Sequence, residues 1–412
     1  MKSLVIDADT HVFEPLEHFD QYLEEPYKYR SPRVFRDQWG IIRVLMEGRL
    51  YPDPSITVYE AHEKLRSPGH ARGSGHAHER THDHLREDGG GHIHGHSHEH
   101  SHEHHEHSEE ESLLEGVAMA MGRLGVTDPD ARIKDLAVEG IDIQVVLGSL
   151  CFAACTLRDP GFALAFCKAC NNYVAQFCSS HPDRLKAVAV VPLQDVPAAI
   201  GEVRRTVKEL GMIGVSIPPS LPGKNLDHPD FYPFYDKVQE LNIPIGIHWG
   251  NGTYLPGAGT ERFNKHFQAH VIGHPFEQMI AMTSLICGGI LERYPKLKFA
   301  FLESGCGWVP YMMWRLDEEY RGRSLEVPLL KEKPSQYITR GQCFFSCSPD
   351  EPMISAVAEL VGADTIIFSS DYPHADGHFP DSVRTIRGRE DISEEVKRKI
   401  LGENAASLFN LG

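Results

Sequence analysis

The chain of 412 residues sets 41 basic against 58 acidic side chains, a formal net charge of −17, with 41% hydrophobic and 9% aromatic residues. That composition supports a large core, as one barrel-sized domain or two ordinary ones, and excludes a disordered chain. An acidic balance without a basic stripe argues against nucleic acid as a partner.

The chain begins MKSLVIDADTH, with only a short apolar run before the first Asp. That run is too short for a signal peptide or a membrane span, so a cytoplasmic protein without a membrane partner is expected. Residues 4–11 read as a strand, and alternation places Asp7, Asp9 and His11 on one of its faces. Three ionisable groups side by side are costly to bury without a partner, and a metal ion is the simplest one.

Residues 52–112 then break the pattern. They include GHIHGHSHEHSHEHHEH, and residues 70–107 hold 14 of the chain's 25 histidines. Such a tract has no apolar periodicity and reads as a low-complexity insertion loop. It is either a metal reservoir or a solvated insertion, and its place after the first strand would let it act as a lid.

From there helix and strand signals alternate. Helices over 131–140 and 160–178, and over DVPAAIGEVRRTVKELG, precede the strands DIQVVLGS, RLKAVAVVPL and MIGVSIPPS. Helices over 229–241, 275–293, 309–320 and 352–361 precede IPIGIHWG, LKFAFLESG, CFFSCSPDE and TIIFSSDYPH, and a last helix covers 393–409. The strand runs are continuously apolar, as expected when both faces are covered. Eight such units predict a single (β/α)₈ TIM barrel over 1–412, with 52–112 as an insertion within it. Nine cysteines without framework spacing predict free thiols. Cys167 and Cys170 form a CxxC, but in an apolar stretch that reads as a core helix rather than a redox or zinc motif.

Polar residues gather where the apolar runs end: Asp9 and His11, His248, Glu303 and Asp371. In a barrel those ends meet on one face, where active sites of this fold are built. Two imidazoles and three carboxylates at strand ends form the donor set a divalent metal needs. Further ligands are at hand. His270 and His274 are four apart and can share a helical face, Glu14 follows His11, and His374 follows Asp371.

The stretches IDADTHVFEP, HPDRLKAVAVVPLQD, GIHWGN, HPFEQMIAMTSLICGGILERYPKLKFAFLESGCGW and FSSDYPHAD together resemble the amidohydrolase superfamily. The likeness is to the branch related to aminocarboxymuconate-semialdehyde decarboxylase (amidohydrolase-related family 2). It spans nearly the whole chain apart from the His-rich insertion. The family carries HxH on its first strand, a His on the fifth, a His on the sixth and an Asp on the eighth. By position, Asp9 and His11 take the HxH places, His248 the fifth-strand His and Asp371 the eighth-strand Asp. Glu303 stands where the sixth-strand His belongs, a His that looks catalytic in the decarboxylases.

The resemblance implies a metal-dependent hydrolase acting on a small carboxylate, cyclic or aromatic substrate. A metal-activated water would attack, Asp371 would move its proton, and His374 would stabilise the oxyanion or bind a substrate carboxylate. Trp249 and Trp308 would either wall the substrate or belong to the core. The oxygen-rich donors shift the expected metal from zinc toward manganese or iron, with one or two ions per chain. Alternatives are a dinuclear Fe/Fe or Mn/Fe monooxygenase, a non-oxidative decarboxylase, and a metal-storage protein working through the His tract. The family's habit of pairing, with aromatic helix faces in GWVPYMMWRLDEEY and YPFYDKVQELN, implies a homodimer.

Overall fold

All eight predicted strands form and lie in one sheet, each parallel to its neighbours, in chain order around the sheet. They are β1 (Ile6–Val12), β2 (Ile143–Gly148), β3 (Leu185–Val190), β4 (Gly214–Ile217), β5 (Ile245–Ile247), β6 (Phe299–Phe301), β7 (Cys343–Cys347) and β8 (Ile366–Phe368). The His11 N–H donates to Tyr372 O at 2.7 Å, joining β1 to the segment after β8 and nearly closing the (β/α)₈ barrel. The computed structural model describes residues 4–37, 42–51, 123–248, 257–374 and 377–411. The predicted insertion at 52–112 lies outside the described residues.

The helices start where the sequence supplies caps. Asp128 accepts from the Asp130 and Ala131 N–H groups and Pro129 opens α1 (Pro129–Glu139), which ends at Gly140 in the left-handed region. Asp159 and Pro160 do the same for α2 (Pro160–Ser179), and Asp195 caps α3 (Val196–Glu209). α4 (Tyr232–Leu241) and α6 (Val309–Arg323) follow the expected spans closely. α5 (His266–Cys287) begins well before the predicted 275, and Pro275 sits inside it. Cys167 and Cys170 are buried on α2, and all nine cysteines are free. A three-stranded antiparallel ribbon, Arg33–Arg36, Ile42–Met46 and Arg49–Tyr51, was not anticipated from the sequence.

The two ends of the barrel differ. At the strand starts the C-terminal helical segment packs Leu408 and Phe409 against Ile6, Val188 and Ala300, and Asn410 Nδ2 donates to Asn242 O at 3.0 Å. Apolar burial closes that end. The strand ends carry the polar groups. No helix among the described residues is long and apolar enough to cross a membrane.

Candidate metal centre

β1 delivers the first two candidate donors. Asp9 and His11 are fully buried, with His11 Nε2 3.5 Å from Asp9 Oδ1. Neither Asp9 oxygen and neither His11 ring nitrogen has a hydrogen-bond partner. Four orphaned polar atoms in a core cost several kcal/mol unless something charged lies among them. Burial pushes the Asp9 carboxyl up to about 8 and holds the His11 imidazole well below its ordinary range. A divalent cation reverses both penalties, because it binds the ionised carboxylate and the neutral imidazole.

Alternation does not carry Asp7 into this group. The register of β1 against β2 shifts between Asp7 and Thr10. Asp7 instead accepts from the Ser370 N–H at 2.9 Å, the Ser370 hydroxyl at 2.5 Å and Gln144 Nε2 at 3.2 Å. It braces the segment that presents Asp371.

His248 directly follows β5 and is buried, with Nε2 3.8 Å from Asp9 Oδ1. Its ring stacks on Phe152 with centroids 4.1 Å apart. Glu303, just beyond β6, sets Oε2 3.0 Å from His248 Nε2 and 3.5 Å from His274 Nδ1. Asp371 Oδ1 lies 3.5 Å from His11 Nε2 and 2.7 Å from His374 Nδ1, and the His374 ring stacks on His11. Bonds of about 2.1 Å to one tetrahedral ion separate donor atoms by about 3.4 Å, which most of these spacings approach. Glu303 and Asp371 have φ of 54° and 53°. Side chains other than glycine rarely occupy that region, and such strain clusters at functional sites.

Among the described residues, three groups of side chains have ligand atoms close enough to share an ion: Asp9–His11–His248, His11–Asp371–His374 and His270–His274–Glu303. Every predicted ligand except Glu14 therefore falls into one of them. Glu14 is buried, but its oxygens accept from the Leu150 N–H at 2.8 Å and the Cys151 N–H at 3.1 Å. Those bonds cap the turn that carries Phe152 and set Glu14 apart from the three groups. Trp308 is likewise core: it packs edge-on against Phe301 and Phe345, and its Nε1 donates to Gly305 O at 2.9 Å. Trp249 lies outside the described residues.

Several supporting residues carry no sequence signal of their own. Arg132 on α1 is fully buried and donates to His11 O at 2.5 Å. Gln278 on α5 donates to Ile247 O at 2.8 Å and Leu302 O at 3.0 Å, pinning the helix to the ends of β5 and β6. His274, one turn earlier, is thereby held against Glu303. A cavity of about 380 Å³ opens over the group, lined by His270, His274, Glu303, Ser346, Ser369 and Asp371 among others.

The amidohydrolase family model matches residues 6–411. A 2-amino-3-carboxymuconate-6-semialdehyde decarboxylase of Dictyostelium discoideum is 30% identical over 287 residues, covering 69% of this chain and 77% of that protein. Among solved structures, an amidohydrolase of Mycobacterium avium subsp. paratuberculosis K-10 aligns with TM-score 0.71 and 21% identity, over 100% of this chain and 99% of that one. A 5-carboxyvanillate decarboxylase of Novosphingobium aromaticivorans, complexed with manganese and 4-hydroxy-3-methoxy-5-nitrobenzoic acid, aligns with TM-score 0.64 and 20% identity, over 100% and 97%. At these identities the two structures show the fold.

Proposed function

The chain belongs to the amidohydrolase family, and from that premise we propose that it is a metal-dependent carboxy-lyase acting on a small carboxylated phenol or unsaturated acid. The observation that carries the reading is the buried Asp9–His11 pair, four polar atoms without partners, beside the Asp371–His374 pair at the mouth of the barrel. Asp9, His11, His248 and Asp371 would hold the cation. When bound, it supplies Lewis-acid polarisation of substrate oxygens. The manganese in the N. aromaticivorans decarboxylase supports that ion here, as does the oxygen-rich donor set.

The chain's own groups manage the proton. As the bond to the substrate carboxylate breaks and carbon dioxide leaves, the electron pair stays with the substrate carbon and needs a proton. Asp371 would deliver it, a role supported by its 2.7 Å contact with His374 and its place in the cavity lining. His374 is partly exposed and can return a proton from solvent. Phe152 and Arg132 fix the His248 ring and the His11 backbone.

The hydrolytic expectation uses the same cation and the same Asp371, but the decarboxylase of D. discoideum supports the lyase over it. One observation favours a second reading, the dinuclear oxygenase: His270, His274 and Glu303 form a ligand group of their own. Manganese-loaded protein, offered ortho-carboxylated phenols and carboxylated unsaturated acids in heavy water, should release carbon dioxide and place deuterium at the vacated carbon. Asp371→Asn should cut that turnover about 10²- to 10⁴-fold. Hydrolysis products, or turnover that consumes dioxygen, would overturn the lyase reading.

A further inference from the structure

α5 carries His266, His270 and His274 at successive four-residue steps. Their ring centroids lie 5.3 and 4.8 Å apart, and they form a ladder along one helix face toward the barrel mouth. Two histidines four apart on a helix present their rings to one point, the arrangement helical metal sites use. The ladder ends at Glu303, whose Oε2 is 3.5 Å from His274 Nδ1 and 3.0 Å from His248 Nε2, and whose Oε1 is 3.9 Å from His374 Nδ1. One carboxylate thus faces both the strand-borne donors and the helix-borne ones. Gln278, one turn beyond His274, locks the helix in this register through the Ile247 and Leu302 carbonyls.

We propose that His270, His274 and Glu303 form a second divalent-cation site, with Glu303 as the carboxylate shared between it and the strand-borne site. Two imidazoles and one carboxylate suit an ion of the manganese, iron or zinc kind and leave coordination positions open. All three residues line the 380 Å³ cavity, so those positions face substrate rather than core. The second site deepens the carboxy-lyase reading and rests on it for the first cation. It specifies a substrate with two adjacent oxygen donors, one for each ion, such as a carboxylate beside a hydroxyl.

The test is reconstitution of the full-length chain and of His270→Ala, His270→Gln and Asp9→Asn with Mn²⁺. Bound manganese is counted after dialysis, and electron paramagnetic resonance reads exchange coupling between ions. The His-rich tract is common to all four proteins and cancels in the differences. His270 is partly exposed, so its variants should fold, with circular dichroism as the check. The second site requires one manganese fewer per chain in both His270 variants, and a coupled signal present only in the parent protein. Equal manganese in the parent and His270 variants, with no coupling in any of them, would overturn it. That outcome leaves the first site standing if Asp9→Asn alone loses metal. A loss in the His270 variants without one in Asp9→Asn would support the helix site and remove the strand-borne site instead.

Discussion

Asp9 and His11 sit on a strand, fully buried, with His11 in register against Leu147 of the next strand and Asp9 just inside the register shift; His270 and His274 sit on a helix that borders a cavity. The same donor chemistry is therefore held in two different ways. The strand-borne pair has its polar atoms enclosed, so metal binding there would be tied to the stability of the barrel. The helix-borne pair meets solvent through His270, so an ion at the proposed second site would exchange without disturbing the core. Rigid elements set a site's geometry more tightly than its margins do. Removal of strand-borne donors should accordingly do the greater damage.

The largest expected effect comes from Asp9→Asn. It keeps the shape of the side chain but removes the charge that two buried imidazoles face. Turnover should fall by about 10³-fold or more, beyond the 10- to 100-fold typical of residues one layer behind a metal. The metal-free melting temperature should move little, because burial already favours the uncharged carboxyl in the parent. Steady-state kinetics and thermal melts of chelated protein check both halves. A variant with near-parental turnover would remove Asp9 from the site.

Next in size is the effect of pH. Burial raises Asp9 to about 8 and Asp7 to about 7, from the usual 3.8 of an exposed aspartate. Between that value and those, the metal-free folded chain keeps protons that the unfolded chain has released. Its stability should therefore fall as pH rises from about 4 to about 8. A bound cation ionises Asp9 and removes its share of that loss. The gap in melting temperature between loaded and chelated protein should widen with pH, and the affinity for Mn²⁺ should rise by up to about tenfold per unit below pH 8. Melts and equilibrium dialysis at pH 6, 7, 8 and 9 measure both trends. A gap independent of pH would mean that Asp9 is ionised without the metal.

The barrel was legible because each strand is a short continuous apolar run and each ends on a chemically distinctive residue. Those signals are local. His248, Glu303 and Asp371 could thus be placed at strand ends without knowing their neighbours. What escaped depends on contacts between distant segments. Phe152 on His248, Arg132 on the His11 carbonyl and Gln278 across β5 and β6 are ordinary residues in sequence, defined only by what the fold brings to them. Pro275 hid the first turns of α5 because proline marks helix starts more often than interiors. Strict alternation misplaced Asp7, since the register shift in β1 breaks the period on which that inference rests.

The smallest expected effect separates a cap from a ligand. Glu14 follows His11 closely enough in sequence to suggest coordination, yet both its oxygens are taken by the Leu150 and Cys151 N–H groups. Even the residue beside that turn is shaped to admit it. A Cβ at Gly148 would lie 2.3 Å from Glu14 Oε1. Glu14→Ala would leave two buried N–H groups unsatisfied, which costs about 1–3 kcal/mol of stability. Bound manganese should stay at the parental count, while turnover drops less than about tenfold as Phe152 loosens against His248. Glu14→Gln, which keeps one acceptor, should recover part of the stability. Loss of a manganese in either variant would make Glu14 a ligand and the strand-borne group one donor larger than its present hydrogen bonds allow.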